Sequence, residues 1–168
     1  GHEIGHGFDD QGAKYDGNGN LKDWWTAADK KEFQNRTKAL IGQYNAFEPQ
    51  QLPGQHVNGA LTIGENIGDL GGLKIAWLAF QKAMQGKPRP ADIDGFTPEQ
   101  RFFLGWAQVW GRKQTPEAMR QQILTDPHPL GRFRVNGPLS NMPQFAEAFH
   151  CNAGDAMVRP PEKRCQVW

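Results

Sequence analysis

The spacing of apolar and polar residues along the chain predicts a protein built mostly of helices. Positions 1 to about 8 suffice for two helical turns, which the stretch from Gly7 to Gly19, rich in Gly, Asp and Asn, brings to a stop. Thr26 reads as an N-cap with Asp29 three residues on, and helical spacing follows from Ala27 to about Phe47. After a loop through Pro49, Pro53 and Gly54, a long pattern runs from Leu61 to about Met84. It carries Glu65, Asp69, Leu73, Trp77 and Phe80 at steps of three or four. Gly71-Gly72 weakens this pattern, because glycine inside a helix costs about 1 kcal/mol relative to alanine. Gly86 to Gly95 is a proline-containing connector.

Beyond the connector, Thr97-Pro98-Glu99-Gln100 combines an N-cap, a proline at the first helical position and a glutamine that closes a capping box. Thr115-Pro116-Glu117 repeats part of the device. Helices are therefore expected over roughly 97 to 111 and 115 to 124, with a last one from about Met142 to His150. Arg132 to Val135 is the best candidate for a short strand. With no internal repeat or low-complexity tract, the expected fold class is mainly α: one helical unit with long, ordered loops and little strand.

Composition narrows the function classes. The 168 residues fall within the size of one domain with a single core. Nineteen basic against eighteen acidic residues leave a net charge of +1 with no long run of either sign, which gives a nucleic-acid surface no support. No apolar stretch approaches the ~20 residues that span a bilayer, and the N-terminus carries no signal-peptide pattern. The two cysteines, Cys151 and Cys165, are too few for a disulfide scaffold and fit no compact zinc cluster, though one bridge stays open. Asp16-x-Asn18-x-Asn20 imitates the start of a calcium loop, but Leu21 and Ala27 stand where the turn glycine and the bidentate glutamate would be required. A turn is the better assignment.

The chemistry begins at His2-Glu3-Ile4-Gly5-His6. On a helix, His2 and His6 project from one face and can share a metal ion, while Glu3 beside them can take a proton from a metal-bound water. A catalytic zinc site needs a third protein ligand and one open position. Glu65 is the best candidate, and Asp69 on the same helix face can orient a ligand histidine. A chance motif and a solvated acidic face are the duller alternatives.

These segments, His2-Glu3-Ile4-Gly5-His6-Gly7-Phe8-Asp9-Asp10, Asn58-Gly59, Glu65-Asn66-Ile67-Gly68-Asp69 and Gly71-Gly72, resemble the neprilysin family of zinc endopeptidases, which are gluzincins. Trp24-Trp25-Thr26, Ala107-Gln108-Val109-Trp110, Asp126-Pro127-His128, Gly131-Arg132-Phe133-Arg134, Phe145-Ala146-Glu147-Ala148-Phe149 and Cys165-Gln166-Val167-Trp168 continue the resemblance in the family's order. It implies the helical C-terminal portion of a thermolysin-like zincin catalytic domain, with one zinc ion on His2, His6 and Glu65. Peptide hydrolysis in oligopeptides would follow, with a zinc-bound water activated by Glu3. Asp69 would hold His2, His128 would stabilise the oxyanion, and Asp9 would support His128. Arg134 would bind substrate carbonyl groups, and Val109 and Trp110 would line the apolar pocket beside the cleaved bond.

Each of these roles has a duller counterpart: a loop histidine at His128, a surface charge at Arg134, core packing at Val109 and Trp110. The motif opens the chain at its second residue, so a longer enzyme with its upstream part missing is expected as the partner, beside peptide substrates. Ala39 and Gly111 occupy positions where animal members of the family carry cysteines, which fits a bacterial member better than an animal one. The resemblance leaves the compartment open among membrane-anchored, periplasmic, secreted and cytoplasmic, with an extracytoplasmic one favoured. The rival reading is a metal-binding but inactive fragment or interaction module. Oligomeric state stays open.

Overall fold

The computed structural model describes all 168 residues. Seven helices follow in order: α1 (His2–Gly5), α2 (Ala27–Asn45), α3 (Ile63–Met84), α4 (Pro98–Val109), α5 (Pro116–Thr125), α6 (Gly131–Leu139) and α7 (Pro143–Ala148). A 3-10 turn at His6–Phe8 extends α1, and two more lie at Gly12–Lys14 and Pro161–Lys163. No strand forms. The only bridges are the isolated pairs Tyr15–Leu21 and Ile93–Phe96.

The caps act as their residue types dictate. The Thr26 hydroxyl accepts from the Asp29 amide, and Thr97 and Gln100 form a reciprocal capping box at the start of α4. Thr115 caps α5 with Pro116 at the first helical position. Asp16 accepts from the Asn18 and Asn20 amides, an Asx turn. Both cysteines are free, so the bridge left open by the sequence is not made.

Helix α3 is the spine. Its first half supplies Ile63, Ile67 and Leu70 to a core shared with Leu40 and Tyr44 of α2, Leu130, and Phe133 of α6. Its second half supplies Leu73 and Trp77 to another core with Phe103 of α4, Leu139 and Met142. The helix runs unbroken through Gly71-Gly72, as the pattern from Leu61 to about Met84 predicts, despite the cost of glycine there. Glycine is used for close approach: a Cβ on Gly72 would lie 2.7 Å from the His2 backbone nitrogen.

Arg132 to Val135 is helical, contrary to the expected strand. Four alternating residues cannot discriminate the two periods. In α6, Phe133, Arg134 and Gly137 are all buried, a step of three and four, facing α2 and α3. As a strand the segment would have had no neighbour to pair with.

The capping box gives a direct test of this local logic. Thr97→Ala is expected to lower the unfolding free energy by about 1 kcal/mol in urea titrations, and a loss below about 0.3 kcal/mol would show that α4 does not need its cap.

Candidate metal centre

One turn of α1 brings His2 and His6 together, their rings edge to face with centroids 4.7 Å apart. A four-residue helix has no stability of its own, so its position comes from α3. Gly68 makes room for the His2 ring, since a Cβ there would lie 2.8 Å from His2 Cε1 and Nδ1. Gly64, one turn earlier, makes room for Asp9 in the same way.

Each imidazole is held through Nδ1. His2 Nδ1 lies 2.9 Å from Asp69 Oδ1, and His6 Nδ1 lies 2.8 Å from Asp9 Oδ2. A carboxylate accepts, so Nδ1 carries the proton and Nε2 is left with its lone pair. Both Nε2 atoms face Glu65, at 3.3 Å from Oε2 for His2 and 3.3 Å from Oε1 for His6. The three donor atoms lie within 4.8 Å of one another. Two imidazoles and a carboxylate, each imidazole backed by a second carboxylate, are a donor set that suits zinc. The hydrogen bond His2 donates to Asp69 raises the pKa of His2 above its ordinary value, against a smaller opposing effect of burial.

Glu65 is also the meeting point of two nitrogen-bearing side chains from distant sequence. His128 Nε2 is 3.3 Å from Oε1, and Arg134 Nη2 is 2.8 Å from Oε2. Arg134 is 5% exposed, which excludes the surface-charge alternative. Its Nε donates to Asp69 Oδ2 and its Nη2 to Asp69 Oδ1, both at 2.7 Å, a bidentate pair. Burial acts to lower the Arg134 pKa, but the hydrogen bonds to Asp69 and the charges of Asp69 and Glu65 together more than offset it, so the pKa is raised and the group stays charged.

The support of His128 differs from expectation. Asp9 is committed to His6 and to the amides of Gln11 and Gly12, and the carboxylate on His128 Nδ1 is that of Asp126, at 2.6 Å. The physical reason is local. Asp126 also accepts the His128 backbone N–H at 2.9 Å, so a two-residue Asx turn delivers carboxylate and imidazole together. That N–H is the foremost cause of the lowered Asp126 pKa. The Asp-x-His spacing was the signal that could have found this pair.

The remaining predicted residues sit further out. Glu3 is exposed on α1 beside the two histidines. Val109 is 71% exposed, so core packing does not account for it. Trp110 lays its ring under Arg134, with the guanidinium carbon 4.0 Å from the ring centroid.

A family model described as peptidase family M13 matches residues 1–165. The chain belongs to this family. Endothelin-converting enzyme 1 of Rattus norvegicus, another M13 relative, is 44% identical over 170 residues, covering 100% of this chain and 22% of the relative. Neprilysin-1 of Caenorhabditis elegans is 45% identical over 172 residues, again covering 100% of this chain and 22% of the relative. Among solved structures, the zinc metalloprotease Zmp1 of Mycobacterium tuberculosis in complex with inhibitor superposes with a TM-score of 0.94 at 54% identity. It covers 100% of this chain and 26% of that one. This M13 chain thus spans about a fifth of the length of the curated relatives it matches. Its mainly helical architecture is that of M13 zinc proteases.

Because the His2 ring rests on Gly68 and Asp69, metal affinity is expected to fall when either changes. Gly68→Ala must turn the ring off Asp69, and Asp69→Asn removes the carboxylate. Each should weaken zinc binding about 10–100-fold in competition with a chromophoric chelator. Affinities within twofold of the unsubstituted chain would contradict the assignment.

Proposed function

We propose that residues 1–168 are the C-terminal, metal-binding portion of the catalytic domain of a longer neprilysin-type zinc endopeptidase that hydrolyses peptide bonds in oligopeptides. One observation carries the reading: both histidines are fixed through Nδ1 by carboxylates and turn Nε2 toward the same buried Glu65. Family membership and the zinc protease relatives support it. So does the length of those relatives, of which this chain is a fraction. No helix is long and apolar enough to cross a membrane.

His2, His6 and Glu65 would hold one zinc ion, which would supply Lewis acidity and make water a stronger acid, with a pKa of about 7. Asp69 and Asp9 keep the two imidazoles in the ligating tautomer. Glu3, exposed next to His2, takes the proton of the attacking water and hands it to the leaving amine. His128, with Asp126 behind it, directs Nε2 to the developing oxyanion, a contribution of roughly 3 kcal/mol for one such donor. Arg134 has Nε and Nη2 engaged by Asp69 and Glu65, which leaves Nη1 to bind a substrate carbonyl. Val109 and Trp110 offer apolar surface to a substrate side chain.

The decisive comparison uses Glu3→Gln and His6→Ala in the full-length enzyme. Glu3→Gln should retain one equivalent of zinc while peptide cleavage falls by about 10²–10⁴-fold, and His6→Ala should lose zinc and activity together. Cleavage that persists in Glu3→Gln would remove Glu3 from the chemistry. A zinc-loaded unsubstituted protein that cleaves no peptide would favour the inactive metal-binding reading instead.

A further inference from the structure

Pro138 lies inside α6, where it has no N–H to give the carbonyl of Arg134, four residues earlier. That carbonyl therefore lacks its ordinary i+4 partner. Trp106 of α4 supplies one, its indole Nε1 donating to Arg134 O at 3.2 Å. Four residues on, Trp110 sets its ring against the Arg134 guanidinium, and the two indoles meet edge to face with centroids 5.6 Å apart. The Trp110 indole N–H makes no hydrogen bond, so this second tryptophan acts through its ring alone. Gly131, the first residue of α6, lets the helices approach this closely: a Cβ there would lie 2.7 Å from the Trp110 carbonyl oxygen.

We infer that Trp106 is a positioning residue for Arg134, its indole N–H replacing the helical hydrogen bond that Pro138 cannot give and thereby fixing the backbone from which the guanidinium reaches the metal centre. The inference rests on the proposal that Arg134 Nη1 binds a substrate carbonyl. The fork is held at its tip by Asp69 and Glu65 and on its face by Trp110. Its root is held by Trp106. Removing that donor leaves the carbonyl without either its i+4 or its indole partner in a half-buried contact, and the turn of α6 tilts to find water or another donor. A tilt at the root moves Nη1 relative to the metal centre, and a binding group displaced by about 1 Å loses its contact. Substrate and transition state share this contact, so its loss raises KM and leaves kcat nearly unchanged.

The test uses the zinc-loaded full-length enzyme. Trp106→Phe keeps the aromatic packing and deletes only the N–H donor. It is expected to raise KM for a peptide substrate about fivefold, the worth of one net hydrogen bond, with kcat within about twofold and zinc content unchanged. Adding Pro138→Ala restores a backbone N–H opposite the Arg134 carbonyl, and the double variant should return to within about twofold of the KM of Pro138→Ala alone. This rescue separates positioning from general loss of packing, since deleting proline methylenes cannot repair a packing defect at position 106. An unchanged KM in Trp106→Phe, or a raised KM that Pro138→Ala does not restore, overturns the inference. Arg134→Lys measured alongside tells the two failures apart. If it leaves KM unchanged, the substrate role of Arg134 is wrong; if it raises KM while Trp106→Phe does not, only the role of Trp106 is wrong.

Discussion

The centre depends on how closely α1 can lie on α3. The glycines Gly64, Gly68 and Gly72 recur every fourth residue along α3 and form a groove with no side chains in it. Into that groove go the Asp9 carboxylate, the His2 ring and the His2 backbone, in that order. On the other side Gly1 comes so near that a Cβ would lie 2.9 Å from Gly72 Cα. A helix of four residues cannot persist by its own hydrogen bonds, because nucleation is unfavourable and there is no length over which to recover it. Contact with α3 therefore decides whether His2 and His6 have a fixed geometry at all. An alanine at Gly72 would press on His2 backbone atoms, which cannot rotate away, whereas at Gly64 or Gly68 it would displace the Asp9 carboxylate or the His2 ring.

Close approach alone would leave a poor site, because it buries charge. Glu65, Asp69 and Arg134 are all withdrawn from water, and an isolated charge in such a place costs several kcal/mol. The arrangement answers this with pairing. Arg134 satisfies both oxygens of Asp69 and one of Glu65, and Asp69 in turn holds His2. Each partner thereby has two tasks. Asp69 is at once the counter-ion that lets an arginine be buried and the acceptor that fixes the tautomer of His2, so the buried arginine and the histidine share one carboxylate. Truncating Asp69 strands a buried guanidinium as well as freeing an imidazole, which is why its loss cannot be read as a metal effect alone.

How much of this the sequence disclosed follows from the range of each interaction. Caps and helix faces are set within one or two turns, so Thr26, Thr97 and Thr115 and the pairs His2/His6 and Glu65/Asp69 were legible from spacing. The helix through Gly71-Gly72 was legible from its period, but the use of the glycines was not, because propensity counts only what a residue does for its own helix, whereas Gly72 serves the helix that crosses it. Arg132 to Val135 was misjudged because a run that short satisfies either period, and its burial on a three-and-four step is visible only once α2 and α3 are in place.

Long-range closures were the least legible, since nothing local specifies them. Asp69 and Arg134 are 65 residues apart in sequence, and neither residue's surroundings name the other. Partnership by resemblance put Asp9 on His128, yet the reach of an aspartate is so short that the backbone decides its partner. Asp9 closes on His6 three residues back, and Asp126 closes on His128 two residues forward. The same accounting of unpaired groups runs through α6. A proline inside a helix removes one donor and so releases one carbonyl, and the released carbonyl must be paired by something from elsewhere. Pro138 was visible in the sequence, and so was the count of what it would leave unpaired. Only the fold could supply the answer, which is that the debt falls on Arg134 and a tryptophan of another helix meets it.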